Sequence, residues 1–154
     1  MPIDPTLPFD DDNVFAKILR GEIPSAKVYE DEWAYAFEDI NPQAEVHTLV
    51  IPKGRYVSWD DFSATASAEE IAGFVRAVGQ VARDKGLVEP GYRMMANIGA
   101  HGGQEVPHLH VHIFGGEPVA YTHPTRPTIY TGLLPCVVVS TNKNTHKTAA
   151  RDDS

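Results

Sequence analysis

His108-Leu109-His110-Val111-His112-Ile113-Phe114, HLHVHIF, sets three histidines at alternate positions of an apolar run. Leu, Val, Ile and Phe favour extended backbone, and strict alternation is the period of a half-buried strand. Successive side chains of a strand point to opposite faces. All three imidazoles therefore share one face, with Leu109, Val111 and Ile113 on the other. A strand whose only task is to pack would more ordinarily carry valine or threonine at those places. Fold and function both turn on what the histidine face meets.

Working outward, YRMMANIG (92–99) follows the turn Glu89-Pro90-Gly91 and reads as a second strand, joined to the histidine run by the glycine-containing loop HGGQEVP (101–107). Upstream, Ser67 and Glu70 form a capping-box pattern. Ile71, Phe74, Val75, Val78 and Ala82 make one apolar stripe, predicting a long helix that ends near Gly86. Before it, KVYE (27–30), WAYAFEDI (33–40) and EVHTLVIP (45–52) are strand-like and separated by turn-prone residues, an antiparallel meander. Asp12 or Asn13 caps a short helix in which Val14, Phe15, Ile18 and Leu19 recur at helical spacing up to Gly21. Strands on both sides of one long helix give the α+β class, an antiparallel sheet with one long helix and a short N-terminal one.

With 154 residues, 42% hydrophobic and 22% charged, the chain suits one domain with a single core. Residues 1–12, with three prolines and then Asp10-Asp11-Asp12, read as a flexible N-terminal arm, 13–118 as the domain, and 119–154 as an atypical C-terminal tail, partly disordered from about 141. No apolar run approaches the length of a membrane span, and the acidic, proline-punctuated start does not read as a signal peptide; cytoplasmic residence is expected. The single cysteine, Cys136, excludes an internal disulfide and suits a reducing compartment. A net charge of −8 weighs against nucleic acid as a partner. A small phosphate can still be held by backbone N–H groups.

Three uses of the histidine face compete. As packing it is costly, since each buried imidazole needs a hydrogen-bond partner and protonated neighbours repel. As a metal site it offers two nitrogens to one zinc, with His47 or Glu105 as a third ligand. The preceding loop argues otherwise: Gly102-Gly103-Gln104-Glu105-Val106 supplies small residues and backbone N–H groups suited to a phosphate. As a nucleophile, neutral imidazole with an ordinary pKa of about 6.5 can attack phosphorus once one tautomer is fixed. The central His110 is the natural attacker, flanked by His108 and His112 for orientation and proton traffic.

The run His-x-His-x-His with apolar x, inside HGGQEVPHLHVHIFGG, resembles the histidine triad (HIT) family, in the branch of histidine triad nucleotide-binding proteins, the purine nucleoside phosphoramidases. NVFAKILRGEIP, VYEDE and AFEDINPQAEVHTLVIPK resemble that branch in the same order, so the likeness spans roughly residues 13–117. The resemblance implies a HIT-like fold, a homodimer, no cofactor and no metal. It implies His110 as the nucleophile, His112 on the phosphoryl group, and His108 with His47 as a supporting relay. It further implies a base pocket walled by Phe15, Ile18, Phe37 and Ile40, and Asp39 on the ribose hydroxyls. Asn97, Gly103, Gln104, Glu105 and Val106 would surround the phosphate and leaving group.

Periodicity alone reads Phe15, Ile18, Phe37 and Ile40 as core, Asp39 as a turn residue and Asn97 as a strand-end cap. His101 reads as solvated, and His123 and His146 receive no role. Glu105 stands where some relatives carry serine, and an ionised glutamate only accepts hydrogen bonds. The activity expected from the resemblance is cleavage of the P–N bond of purine nucleoside 5′-phosphoramidates through a nucleotidyl-histidine on His110. A dinucleoside polyphosphate hydrolase and a non-catalytic nucleotide-binding interaction module are the alternatives.

Overall fold

A computed structural model of the chain describes residues 2–119. The expectations for the C-terminal tail, with His123 and His146, lie outside the described residues from 120 onward.

Helix α1 (Val14–Leu19) starts where Asn13 Oδ1 accepts the N–H groups of Phe15 and Ala16, at 2.8 and 2.9 Å, satisfying donors the helix itself cannot. Strands β1 (Lys27–Glu30), β2 (Ala34–Glu38) and β3 (Val46–Pro52) follow as the expected meander. Helix α2 (Trp59–Thr65) was not foreseen, although its capping box of Ser58 and Asp61 was legible. Helix α3 (Ala68–Asp84) is the long helix, begun by Ser67 and Glu70 as expected. Strands β4 (Arg93–Met95) and β5 (Val111–Gly115) complete one five-stranded antiparallel sheet in the order β1-β2-β3-β5-β4.

Three details differ from the sequence reading. In α3 the buried line is Phe74, Ala77, Val78, Val81 and Ala82, whereas Val75 is 54% exposed; it lies about 100° round the helix from Phe74. Strand β4 is three residues long, not the whole of YRMMANIG. Strand β5 begins only at Val111, because backbone groups of His108 and Leu109 are engaged elsewhere. The N–H of His108 donates to Val106 O across Pro107 at 2.8 Å, a tight three-residue turn, and that of Leu109 donates to Tyr56 O at 2.9 Å.

The sidedness of the histidine run survives this correction. Leu109, Val111 and Ile113 join Ala34, Ala36, Val50, Phe62 and Phe74, Ala77, Val78 and Val81 of α3 in the main core. On the opposite face of the sheet, Phe37, Leu49 and Ile51 pack with Phe15 and Ile18 of α1 in a smaller cluster. Leu49 pairs with His112 and His47 with Phe114 in the β3–β5 register. The histidines therefore lie on the α1 side, at the border of the smaller cluster.

Residues 2–12 lie along the body rather than projecting from it. Arg55 grips the Asp11 carboxylate at 2.8 and 3.0 Å, Arg20 reaches Asp11 O at 2.9 Å, and Phe9 stands against the ring of His108.

Candidate active site

His110 is 6% exposed, and its Nδ1 lies 2.7 Å from the carbonyl oxygen of His108. A carbonyl only accepts, so Nδ1 carries the proton and Nε2 keeps its lone pair. The ring stands edge-on to Phe15, centroids 5.1 Å apart, and burial pushes its pKa below the ordinary value against the pull of Asp39 and Glu105. Asn13, by starting α1, places Phe15 there. The outcome is a neutral imidazole of one tautomer whose free nitrogen is the basic one.

A second chain of tautomers follows from His47. Its Nδ1 accepts the N–H of Gln43 at 3.0 Å, which puts its proton on Nε2. That Nε2–H donates to His112 Nδ1 at 2.9 Å, with Asp39 Oδ2 at 3.3 Å beside it. His112 must then carry its proton on Nε2, which is buried and has no protein partner among the described residues. An unpaired buried donor next to a free nucleophilic lone pair is a receptor for an anionic oxygen. Burial, reinforced by His110 and His47, pushes the His112 pKa down to about 3. The ring stacks on Phe114.

The expected relay between His108 and His47 is not formed. His47 bonds His112 instead, because the antiparallel register sets Phe114 opposite His47 and His112 one diagonal step away. His108, 1% exposed, turns to the other side of His110; its Nε2 faces Pro52 O at 3.4 Å and its ring lies between Phe9 and Phe15. Its pKa falls to about 4, burial being the main cause.

The loop before the histidines is held closed by its own bonds. Gly103 N–H donates to Ala100 O at 3.1 Å and Gln104 N–H to Gly99 O at 3.0 Å, so two donors expected to face a phosphate are occupied. The side chain of Gln104, 4% exposed, is also internal: Nε2 donates to Val57 O and Val106 O, and Oε1 accepts Gly99 N–H. Gln104 thus acts as a clasp instead of a ligand-facing group. Glu105 and Val106 retain N–H groups with no protein acceptor among the described residues. Gly103 has φ +76°, a left-handed turn any side chain would strain, and a Cβ on Gly102 would sit 2.4 Å from Ile98 O.

Of the expected pocket residues, Phe15, Ile18 and Phe37 come together in one cluster, whereas Ile40 is 90% exposed and stands apart from it. Asp39 accepts the N–H of Asn41 at 2.8 Å and flanks His47, so it orients the histidine chain whatever else it binds. Asn97 is half-buried between β4 and the loop. Asp39, His47 and His112 bring one potential ligand atom each within 4.8 Å of one another, a set that could hold a divalent metal. Two partners escaped sequence reading. Gln43 acts through its backbone, which carries no residue signature, and Phe9 sits in a proline- and aspartate-rich arm without periodicity.

The sequence pattern of the HIT domain family matches residues 20–119. The chain belongs to that family. It is 64% identical over 108 residues to a 13.2 kDa HIT-like protein of Azospirillum brasilense, covering 70% of this chain and 88% of the relative. It is 40% identical over 109 residues to the purine nucleoside phosphoramidase of Escherichia coli, covering 71% and 91%. Among solved structures, a histidine triad protein from Clostridium difficile superposes with a TM-score of 0.65 at 40% identity, over 74% of this chain and 98% of that one. The HIT-like α+β fold expected from the sequence is the fold found.

Proposed function

We propose that the chain is a hydrolase that cleaves the P–N bond of purine nucleoside 5′-phosphoramidates through a covalent intermediate on His110. The observation that carries this reading is the tautomer pair: a free His110 Nε2 lone pair beside an unpaired His112 Nε2–H. His110 Nε2 attacks the α-phosphorus, the P–N bond breaks, and the amine departs with a proton. Water then attacks the same phosphorus, the His110 N–P bond breaks, and a nucleoside monophosphate leaves. The net reaction consumes one water.

His112 Nε2–H and the N–H groups of Glu105 and Val106 suit the charge that develops on the phosphoryl oxygens. Phe15, Ile18 and Phe37 suit a purine, Asp39 the ribose hydroxyls, and Asn97 with the loop the phosphate. Gln104 contributes by shaping that loop. The 40% identity to the Escherichia coli phosphoramidase supports the same substrate class. A single cysteine and a nucleotide substrate fit a cytoplasmic setting. Among the described residues no helix is long and apolar enough to cross a membrane.

Assembly as a homodimer belongs to the same reading. Strand β4 is an edge of the sheet, and exposed Met94 (55%), Val75 (54%) and Tyr92 (37%) lie on it, on α3 and just before β4. An uncovered edge with apolar residues nearby favours pairing with a second copy. Sedimentation equilibrium tests this directly.

The deciding assay is hydrolysis of a fluorogenic adenosine 5′-phosphoramidate in EDTA, beside His110→Ala, with intact-mass detection of a nucleotidyl adduct after alkaline quench. Activity that persists in EDTA, vanishes in the variant and passes through the adduct is expected. Loss in EDTA would instead favour a metal held by Asp39, His47 and His112. Absence of turnover with nucleotide binding intact would favour a binding module, and a better dinucleoside polyphosphate substrate the neighbouring hydrolase chemistry.

A further inference from the structure

We infer that Phe9, in the N-terminal arm, is a positioning residue: its ring shields His108 from water and so keeps the imidazole that borders His110 neutral and in one orientation. This inference rests on the proposed role of His110.

Phe9 meets His108 edge-on at 5.2 Å between centroids, while Phe15 covers the same imidazole from α1 at 6.1 Å. The arm is fastened at two places. The Arg55 guanidinium lies 5.2 Å over the Phe9 ring while holding the Asp11 carboxylate with two hydrogen bonds, and Arg20 at the end of α1 holds the Asp11 carbonyl. These fastenings are solvent-exposed, with Arg55 and Asp11 side chains 63% and 58% exposed, so each is individually weak. What they secure is Phe9, half-buried itself and lying over His108, which is 1% exposed. The His108 side chain has one long contact, Nε2 to Pro52 O at 3.4 Å, and its Nδ1 has no partner. Few polar bonds restrain this ring, so its orientation depends on the aromatic walls. Its carbonyl is the group that sets the His110 tautomer.

Next to His108 lies a cavity of about 150 Å³ lined by Phe9, Ala16 and Leu19 together with charged groups. The charged and titratable groups around His108 are Asp11 on the arm, Arg20 after α1, Lys53 and Arg55 after β3, and His110 on its own run. Removing the Phe9 ring deepens that open cavity onto the His108 ring. Water then reaches Nδ1, the imidazolium becomes cheaper to form, and the ring gains orientations now closed to it.

The test uses the full chain with Phe9→Ala and Phe9→Leu, read by NMR titration of the His108 ring and by steady-state kinetics on the phosphoramidate. In Phe9→Ala the His108 midpoint should rise by at least about one pH unit toward the ordinary 6.5. The same variant should lose about tenfold in kcat with KM changed by less than about twofold, the mark of lost positioning rather than lost binding. Phe9→Leu keeps an apolar plug and should restore most of both. A His108 titration in Phe9→Ala that matches the parent, unchanged kcat, or a leucine variant as impaired as the alanine variant would each overturn the inference. If the parent chain hydrolyses no phosphoramidate, the functional reading fails, while the titration still decides whether Phe9 shields His108.

Discussion

Acidification from about pH 7.5 to about pH 5 should destabilise the fold through its buried histidines. His108 titrates at about 4 and His112 at about 3 in the folded chain, burial penalising the imidazolium in both. Unfolding returns each to about 6.5. Below that value the unfolded chain binds protons that the folded chain refuses, so stability falls as pH drops from about 6.5 toward the folded values and is flat above. For His108 the gap is worth roughly 3 kcal/mol when complete, of which about 2 kcal/mol is already lost at about pH 5. His112 adds a loss of similar size. Against a typical domain stability of about 5–15 kcal/mol, the combined change is large. The carboxylates held low by surface partners, Asp11 by Arg55 and Glu30 by Lys53, lose their contribution only as pH falls below about 4.5, outside this window. Urea unfolding followed by tryptophan fluorescence across the range reads the effect directly. His108→Gln, which removes one of the four histidines that burial holds low, should reduce the slope by less than about half. A stability that stays constant between about pH 7.5 and about pH 5 would refute the claim that these imidazoles are dry and neutral.

Two substitutions probe the scaffold around the site. In Gly73→Ala the new Cβ would lie 2.2 Å from Trp33 Cγ, so the indole must move off α3. A stability loss of about 1–3 kcal/mol in urea is expected, with kcat per folded molecule unchanged; an unaffected midpoint would show that Trp33 is not packed there. Gln104→Leu leaves Gly99 N–H and Val57 O without partners and leaves Val106 O only the His108 N–H. Destabilisation of roughly 2–4 kcal/mol should accompany a larger fall in kcat than in stability-corrected binding, since the loop carrying Glu105 and Val106 loses its clasp. Retention of both stability and kcat would count against the clasp.

These expectations share one physical cause. The site holds four histidines in a region poor in water; three are oriented by a partner of fixed hydrogen-bonding sense, a carbonyl for His110, a backbone N–H for His47 and another imidazole for His112, and His108 by the rings of Phe9 and Phe15. Neutral rings do not repel one another, and the unused nitrogens of His110 and His112 present one acceptor and one donor.

What the amino-acid sequence determined by itself was what local physics governs. The capping boxes, the 3.6-residue stripe of the long helix, the alternation of HLHVHIF and the glycines of the following turns act over a few residues, so the α+β class, the meander and the common face of the histidines were legible. Tertiary structure decided the pairings. His47 bonds His112 and not His108 because the β3–β5 register brings those rings together. The histidine strand starts late because Tyr56, a distant residue, takes the Leu109 N–H. Two loop N–H groups thought free for phosphate are consumed by a closure that only the folded turn reveals. Phe9, from an arm with no periodic signal, covers a catalytic-side histidine through contacts about a hundred residues away in the chain. Hydrogen-bond partners and aromatic walls are set by three-dimensional proximity, and no short-range pattern in the chain encodes which distant group will fill them.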